Sequence, residues 1–461
     1  MAKFTKTLLA STLTLVAGGV NAAAFQLAEV STSGLGTAYA GAAAAADNAS
    51  VIATNPALMS KFDRVEISAG GVVVDAKINV NGTFGHIYNA SQNNIIPRAL
   101  VPNLYATTPI NDRFSIGGGM NVNYGLKSRF SPDYNAGIFG GNTELKAVNL
   151  NLSSAYKVGY GLSVGAGLNA IYSEAEVVRH LGAAGKLLSS SLTTNPAIAT
   201  LLATNPSLAV PLTNAAATLN TMNNSTEVSR LSGDKWSFGW NAGLLYEINE
   251  RNRIGVAYHS AVNVKFKGQY SNAFPTTLNP LISKLSTLGI QLPVSVATAG
   301  QEIPGSLTLH LPAYWEFSTY HKLTDKLAAQ FSYKYTEWER FASLDAYGNT
   351  GNKLFSKIEN YSSASRVALG LSYDVDKALT LRVGLAHDEN ASVNNPSISI
   401  PDTDRTWYSL GMTYRFTPNL STDVGFAHLR GSNNRFVEDK HGVFNVKSRA
   451  NLYGVNVNYA F

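Results

Sequence analysis

The chain has 461 residues, of which 14% are charged and none is cysteine, which excludes a disulfide framework, a thiolate metal site and a cysteine nucleophile. Its formal charge is +6, too diffuse to argue for nucleic acid, and it falls by two once Lys3 and Lys6 are set aside as part of a leader. A mean hydropathy of −0.02 is wrong for a helical membrane protein, yet the charged fraction is low against about 25% for soluble domains.

Lys3 and Lys6 precede an apolar stretch, Leu8 to Val20, that is short and rich in Gly and Thr for a membrane helix. Val20-Asn21-Ala22 follows as a small-residue cleavage signal, so residues 1–22 read as an export signal and the mature chain starts at Ala23. Residues 23–64 show no strand pattern. Ser33-Gly34-Leu35-Gly36 and the run Ala42 to Ala46 suggest small-residue packing and short helices or turns. The segment is long for a leader and apolar for a free tail, and it reads as a plug in a lumen.

From residue 65 onward the pattern is period-2 alternation. Leu162, Val164, Ala166 and Leu168 alternate with Ser163, Gly165 and Gly167. Phe238, Trp240, Ala242 and Leu244 alternate with Gly239, Asn241 and Gly243. In an exported chain this means lipid on one face and a wetter lumen on the other. Six short turn signals separate the strands: Pro109-Ile110-Asn111-Asp112, Gly159-Tyr160-Gly161, Asn249 to Asn252, Leu323 to Lys326, Asp374 to Lys377 and Thr417-Pro418-Asn419. Six turns on the periplasmic side join seven outward hairpins, which gives about 14 strands over 65–461. The expected fold is therefore all-β: a transmembrane antiparallel barrel with an N-terminal hatch inside it.

The turn spacing leaves two long outer loops, about 180–232 and about 270–306. Both are apolar. Leu187-Leu188, Leu192, Ile198, Leu201-Leu202 and Leu208 mark candidate amphipathic helices in the first. Leu278, Leu281-Ile282, Leu285, Leu288-Gly289-Ile290 and Leu292 do so in the second. Such loops either pack on each other or offer a greasy platform to an apolar ligand. The chain closes on Tyr453, Val455, Val457, Tyr459 and Phe461, alternating with Gly454, Asn456 and Asn458. A terminal strand ending in an aromatic is the expected handle for the barrel-assembly machinery.

Ala24-Phe25-Gln26-Leu27, Ser33-Gly34-Leu35-Gly36, Ala38-Tyr39 and Asn55-Pro56-Ala57-Leu58 resemble the hatch of the FadL family of long-chain fatty acid transporters. The likeness continues through Asn123-Tyr124-Gly125-Leu126, Trp236 to Gly243, Ser397 to Asp402 and Asn458-Tyr459-Ala460-Phe461. A second Asn-Pro-Ala, at Asn195-Pro196-Ala197, lies in a long loop, and position distinguishes the first copy. The resemblance implies a 14-stranded barrel with a hatch, acting as a single copy and without a cofactor. It also implies that Asn55, Pro56 and Ala57 belong to the hatch and that Asp388, a strand-end carboxylate near them, latches it to the wall; the bland reading of Asp388 is a lumen charge. Arg179 and Lys357 would hold a ligand head group, unless they are merely rim charges, and Phe25 and Leu27 would line its apolar pocket. Asn123-Tyr124-Gly125 would form an inward kink that opens the wall toward the membrane. Residues 183–230 and 272–300 do not align with the close family members, so no landing-site residue is carried over.

A fatty-acid carboxylate leaving water needs a compensating cation, which Arg179 and Lys357 can supply. The expected function is passive outer-membrane uptake of long-chain fatty acids, with lateral release into outer-membrane lipid. The alternative is a channel of the same fold for another hydrophobic compound, such as an aromatic hydrocarbon. An enzyme is not indicated: the eight His are scattered, and no phosphate-binding glycine loop occurs.

Overall fold

A computed structural model describes residues 24–287 and 292–461. The export signal and Leu288-Gly289-Ile290 lie outside the described residues. The wall consists of 14 antiparallel staves. They are β1 (Glu66–Phe84), β2 (Ala99–Pro109), β3 (Phe114–Arg129), β4 (Asn142–Gly159), β5 (Leu162–His180) and β6 (Glu227–Asn249). The next four are interrupted: β7 (Asn252–His259, Val262–Ser271), β8 (Ile303–Leu311, Tyr314–Lys322), β9 (Leu327–Thr336, Ser343–Gly348) and β10 (Lys353–Ile358, Ala364–Asp374). Then follow β11 (Leu379–Asp388), β12 (Arg405–Arg415), β13 (Leu420–Gly431, Asn434–Glu438) and β14 (Gly442–Ala460).

Each stave pairs with its chain neighbour, and β1 pairs with β14 from Glu66↔Ala460 to Phe84↔Gly442, so the sheet closes on itself. The six turn signals join staves at one end of this closed barrel, in agreement with the count of 14. Alternation sorts the side chains. On β14, Tyr453, Val455, Val457 and Tyr459 are exposed, while Asn456 and Asn458 are buried inside. The inward amides bond each other across strands, as in Asn149 Nδ2 to Asn169 Oδ1 (3.0 Å) and Asn456 Nδ2 to Asn103 Oδ1 (2.8 Å).

Residues 24–62 pack on the inner face of this wall. They contain α1 (Thr32–Gly36), capped by Ser31, α2 (Val51–Thr54) and a 3-10 turn over Pro56–Lys61, capped by Asn55. Short inward hydroxyls take up their backbone: Gly41 N–H donates to Ser332 Oγ (2.9 Å) and Ala43 N–H to Ser318 Oγ (3.0 Å). The wall is bare where the chain presses closest. A Cβ built on Gly384 would lie 2.6 Å from the Ala38 nitrogen, so only glycine admits the backbone there.

The connection 181–226 holds α3 (Ala184–Thr194), α4 (Pro196–Thr204) and α5 (Ala209–Thr221), and 272–302 holds α6 (Asn279–Thr287). Their leucines do not make an open platform. Leu192, Ile198, Leu212, Leu219, Ile282 and Leu285 are buried in one cluster with Phe84, Phe139 and Phe444 of the wall and its loops. Burying them against each other removes apolar surface from water, which a greasy exterior would not. Leu187, Leu188, Leu201 and Leu202 remain half-buried at the margin of that cluster.

Candidate functional site

The wall ladder is interrupted between β2 and β3. β2 and β3 pair only from Leu104↔Met120 to Pro109↔Ser115, leaving β3 beyond Met120 without β2 as a partner. On its other side β3 slips register against β4 between Val122 and Tyr124, so Asn123 is the bulged residue. A bulge bends its strand, and here the N-terminal segment meets the bend. Leu27 N–H donates to the Asn123 carbonyl (2.8 Å), and Gly125 N–H donates to the Phe25 carbonyl (3.0 Å). Tyr124 is buried and donates its hydroxyl to the Pro312 carbonyl (3.1 Å). Gly125 has a packing reason as well, since an added Cβ would sit 3.1 Å from Leu27 Cδ1.

Beside this bend lies an apolar cavity of about 80 Å³, lined by Phe25, Leu126, Leu145, Val177, Phe266, Leu307, Phe341, Phe355 and Ile400, among others. Phe25 stands edge-on to Trp338 (centroids 4.8 Å) and Phe341 (5.3 Å), and Phe341 stands edge-on to Tyr361 (4.8 Å). Leu27 does not line this cavity; it packs against the bend and belongs to the neighbouring core cluster.

Arg179 and Lys357 flank the cavity, two residues along the same strand faces from its lining members Val177 and Phe355. Arg179 is buried and donates to the carbonyls of Val178 (2.9 Å) and Asn142 (3.2 Å). Lys357 Nζ bonds Ser397 Oγ, Ser399 Oγ (2.8 Å) and Glu438 Oε1 (3.2 Å), with Glu359 Oε1 at 4.0 Å. Glu359 and Glu438 both act electrostatically on Arg179 as well. Both carboxyls stand beside the Lys357 ammonium and act on Arg179. The Glu359 side chain is fully buried, and among the described residues neither of its oxygens has a hydrogen-bond partner. Ala364–Asp374 already supplies the roughly 9–11 residues that cross a bilayer, so Glu359 lies outward of the membrane. Burial there pushes its carboxyl up to about 7.

Asp388 takes a different place from the one expected. It is the ladder partner of Arg366 on β10, pairs with Arg366 Nε (2.7 Å) and accepts Trp407 Nε1–H (2.6 Å). Arg366 in turn donates to the Ala38 carbonyl (2.9 Å). The Asp388 carboxylate faces these partners and, among the described residues, has no bond to 55–57; it reaches the N-terminal segment through Arg366, at Ala38. Asn55 is held elsewhere: its Nδ2 donates to the Ala43 (2.8 Å) and Leu244 (3.0 Å) carbonyls.

Sequence reasoning missed Glu359, Glu438, Trp338, Phe341 and Tyr361. Trp338 and Phe341 interrupt β9 and Tyr361 interrupts β10, a break in alternation that was the available signal. Glu29 was also missed. It is a buried carboxyl of the N-terminal segment, and burial lifts it to about 7 against the opposing pull of the Glu29 and Ala28 backbone, Arg405 and Arg366.

The closed barrel, the inner segment and the bent third stave can be set beside known proteins. A model of the outer membrane protein transport protein family (OMPP1/FadL/TodX) matches residues 13–461. The chain belongs to this family. It is an outer-membrane transport protein and not an enzyme. It is 55% identical over 461 residues to a 47 kDa outer membrane protein of Pasteurella multocida (strain Pm70), covering 100% of this chain and 99% of that one. It is 40% identical over 460 residues to the long-chain fatty acid transport protein of Escherichia coli O157:H7, covering 99% of each. Among solved structures, a FadL homologue of Pseudomonas aeruginosa superposes with a TM-score of 0.79 at 22% identity, over 95% of this chain and 100% of that one. That last likeness carries the fold alone.

Proposed function

We propose that this FadL-family protein takes up long-chain fatty acids passively across the outer membrane. In this reading residues 1–22 direct export, 23–64 form a hatch, and 65–461 form the barrel, which works as a monomer. The closing strand, ending at Phe461, is the handle for the barrel-assembly machinery. The observation that carries the reading is an apolar cavity bounded by Phe25, flanked by Arg179 and Lys357, and adjoining an interrupted wall ladder. The apolar lining suits part of an acyl chain, and a carboxylate leaving water needs the two cations. The 40%-identical relative named for long-chain fatty acid transport supports the same ligand class.

The ligand is captured at the leucine margin of the outer loops and passes to the cavity between Arg179, Lys357 and the hatch tip. A small movement of Phe25 and Leu27 away from Asn123-Tyr124-Gly125 releases it sideways, through the gap between β2 and β3, into outer-membrane lipid. Lateral exit suits an apolar ligand, which gains nothing from crossing water. Asn55-Pro56-Ala57 keeps the far end of the hatch in place meanwhile, and Asp388 acts on the hatch by way of Arg366 and Ala38.

The test is oleate binding to the detergent-solubilised barrel, wild type beside Arg179→Ala/Lys357→Ala. The double variant is expected to bind about 100-fold more weakly, the size of losing two charge-assisted contacts. Binding unchanged by the double variant would move the head group elsewhere. A second reading, a channel for a neutral compound such as an aromatic hydrocarbon, is favoured by Glu359 and Glu438, which already balance the two cations. Saturable toluene binding with no oleate binding would establish it in place of the first.

A further inference from the structure

The head-group wall holds one carboxyl more than an anionic ligand can easily tolerate. Glu438 is anchored: Oε1 bonds Lys357 Nζ (3.2 Å), and Oε2 accepts the Ile398 N–H (3.1 Å). Glu359 is not. It is fully buried, stands 4.0 Å from the same ammonium, and has no hydrogen bond to either oxygen among the described residues. A bare carboxylate in such a place is costly, and a second carboxylate brought beside it would repel it further.

Building on the fatty-acid reading above, we propose that Glu359 is the proton-carrying member of the head-group site. Binding of an anionic lipid head group draws one proton from solvent onto the Glu359 carboxylate. The neutral carboxyl then donates its O–H to the ligand carboxylate, while Arg179 and Lys357 supply the positive charge. On release the ligand leaves as the anion, and Glu359 returns its proton to solvent. The charged and titratable groups that face Glu359 are Lys357 and Tyr361 on its own stave, Arg179 on β5 and Glu438 on β13. The bases favour ionisation of Glu359 and Glu438 opposes it, with burial the largest influence. An arriving anion joins the side that opposes ionisation.

The sign of the pH effect follows. Glu359 in the free site titrates near 7, and the bound anion raises it further. Below about 7 the site is already protonated, and affinity is flat with pH. Above it each bound ligand must bring a proton with it, so affinity falls by up to tenfold per pH unit until the bound-state value is passed.

The experiment is calorimetry of oleate binding to the intact, detergent-solubilised barrel at pH 8, in two buffers of different protonation enthalpy. Uptake approaching one proton per oleate is expected for the wild type. Glu359→Gln is expected to bind oleate with no proton uptake and with an affinity flat from pH 6.5 to 9. Oleate binding to the wild type without proton uptake would overturn the role of Glu359 and leave the fatty-acid reading standing, whether or not the variant folds. Proton uptake that persists in Glu359→Gln would also overturn it. Failure of the wild type to bind oleate at any pH would overturn the fatty-acid reading itself.

Discussion

Asn-Pro-Ala occurs twice, at 55–57 in the N-terminal segment and at 195–197 in an outer loop, and both copies fold the same way. Each asparagine caps a helical turn, accepting the N–H two residues on at its Oδ1: Ala57 at 3.0 Å and Ala197 at 2.9 Å. Each proline takes the first helical position, where its missing N–H is not needed. The copies part at the other end of the amide. Asn55 is fully buried, and its Nδ2 spans the Ala43 and Leu244 carbonyls, joining the segment to itself and to β6. Asn195 is exposed, and its cap is local. The tripeptide writes a helix start; the surroundings turn one copy into a fastening.

Asn55→Ala should break that difference most. It removes the cap, worth about 1 kcal/mol, and strands two inner carbonyls, for a combined loss of about 3 kcal/mol. Hydrogen exchange is the measurement. Amides over 51–61 should lose protection while those of the barrel wall keep theirs. Unchanged protection would mean that Asn55 fastens nothing.

Gly165→Ala attacks the same contact from the wall and should cost less, about 2 kcal/mol, as overpacking does. An added Cβ would lie 2.6 Å from the Pro56 carbonyl carbon, and backbone cannot rotate aside as a side chain can. The expected result is again lost protection over 55–61, here with the Asn55 side chain intact. If Gly165→Ala leaves 55–61 protected, close packing is not what makes the first copy different.

The barrel was legible because its signals are local. Turn residues and period-2 alternation are written within ten or so residues, and six turns fix the stave count. The site was only half legible. Arg179 and Lys357 were expected from the family resemblance, whereas Glu359 and Glu438 gain meaning only when folding sets both carboxyls beside the Lys357 ammonium. Asp388 was assigned the wrong neighbour for the same reason: its partner is set by the ladder register opposite Arg366, a pairing that no short window contains. An irregularity at Asn123-Tyr124-Gly125 was expected from the family resemblance, whereas the N-terminal strand bridge that meets it was not.

Asn195→Ala should do least and therefore sharpens the comparison most. The lost cap is worth at most about 1 kcal/mol, and the freed Ala197 N–H faces water, which can replace the lost bond. The helix Pro196–Thr204 should fray locally, while Ile198, buried in the loop cluster, holds it to its neighbours. Exchange should rise for the first turn of that helix alone, and oleate affinity should stay within about twofold of wild type. A large loss of oleate binding on Asn195→Ala would show that the loop copy also does more than start a helix. The two copies would then differ in what they fasten, and burial would no longer be the property that separates them.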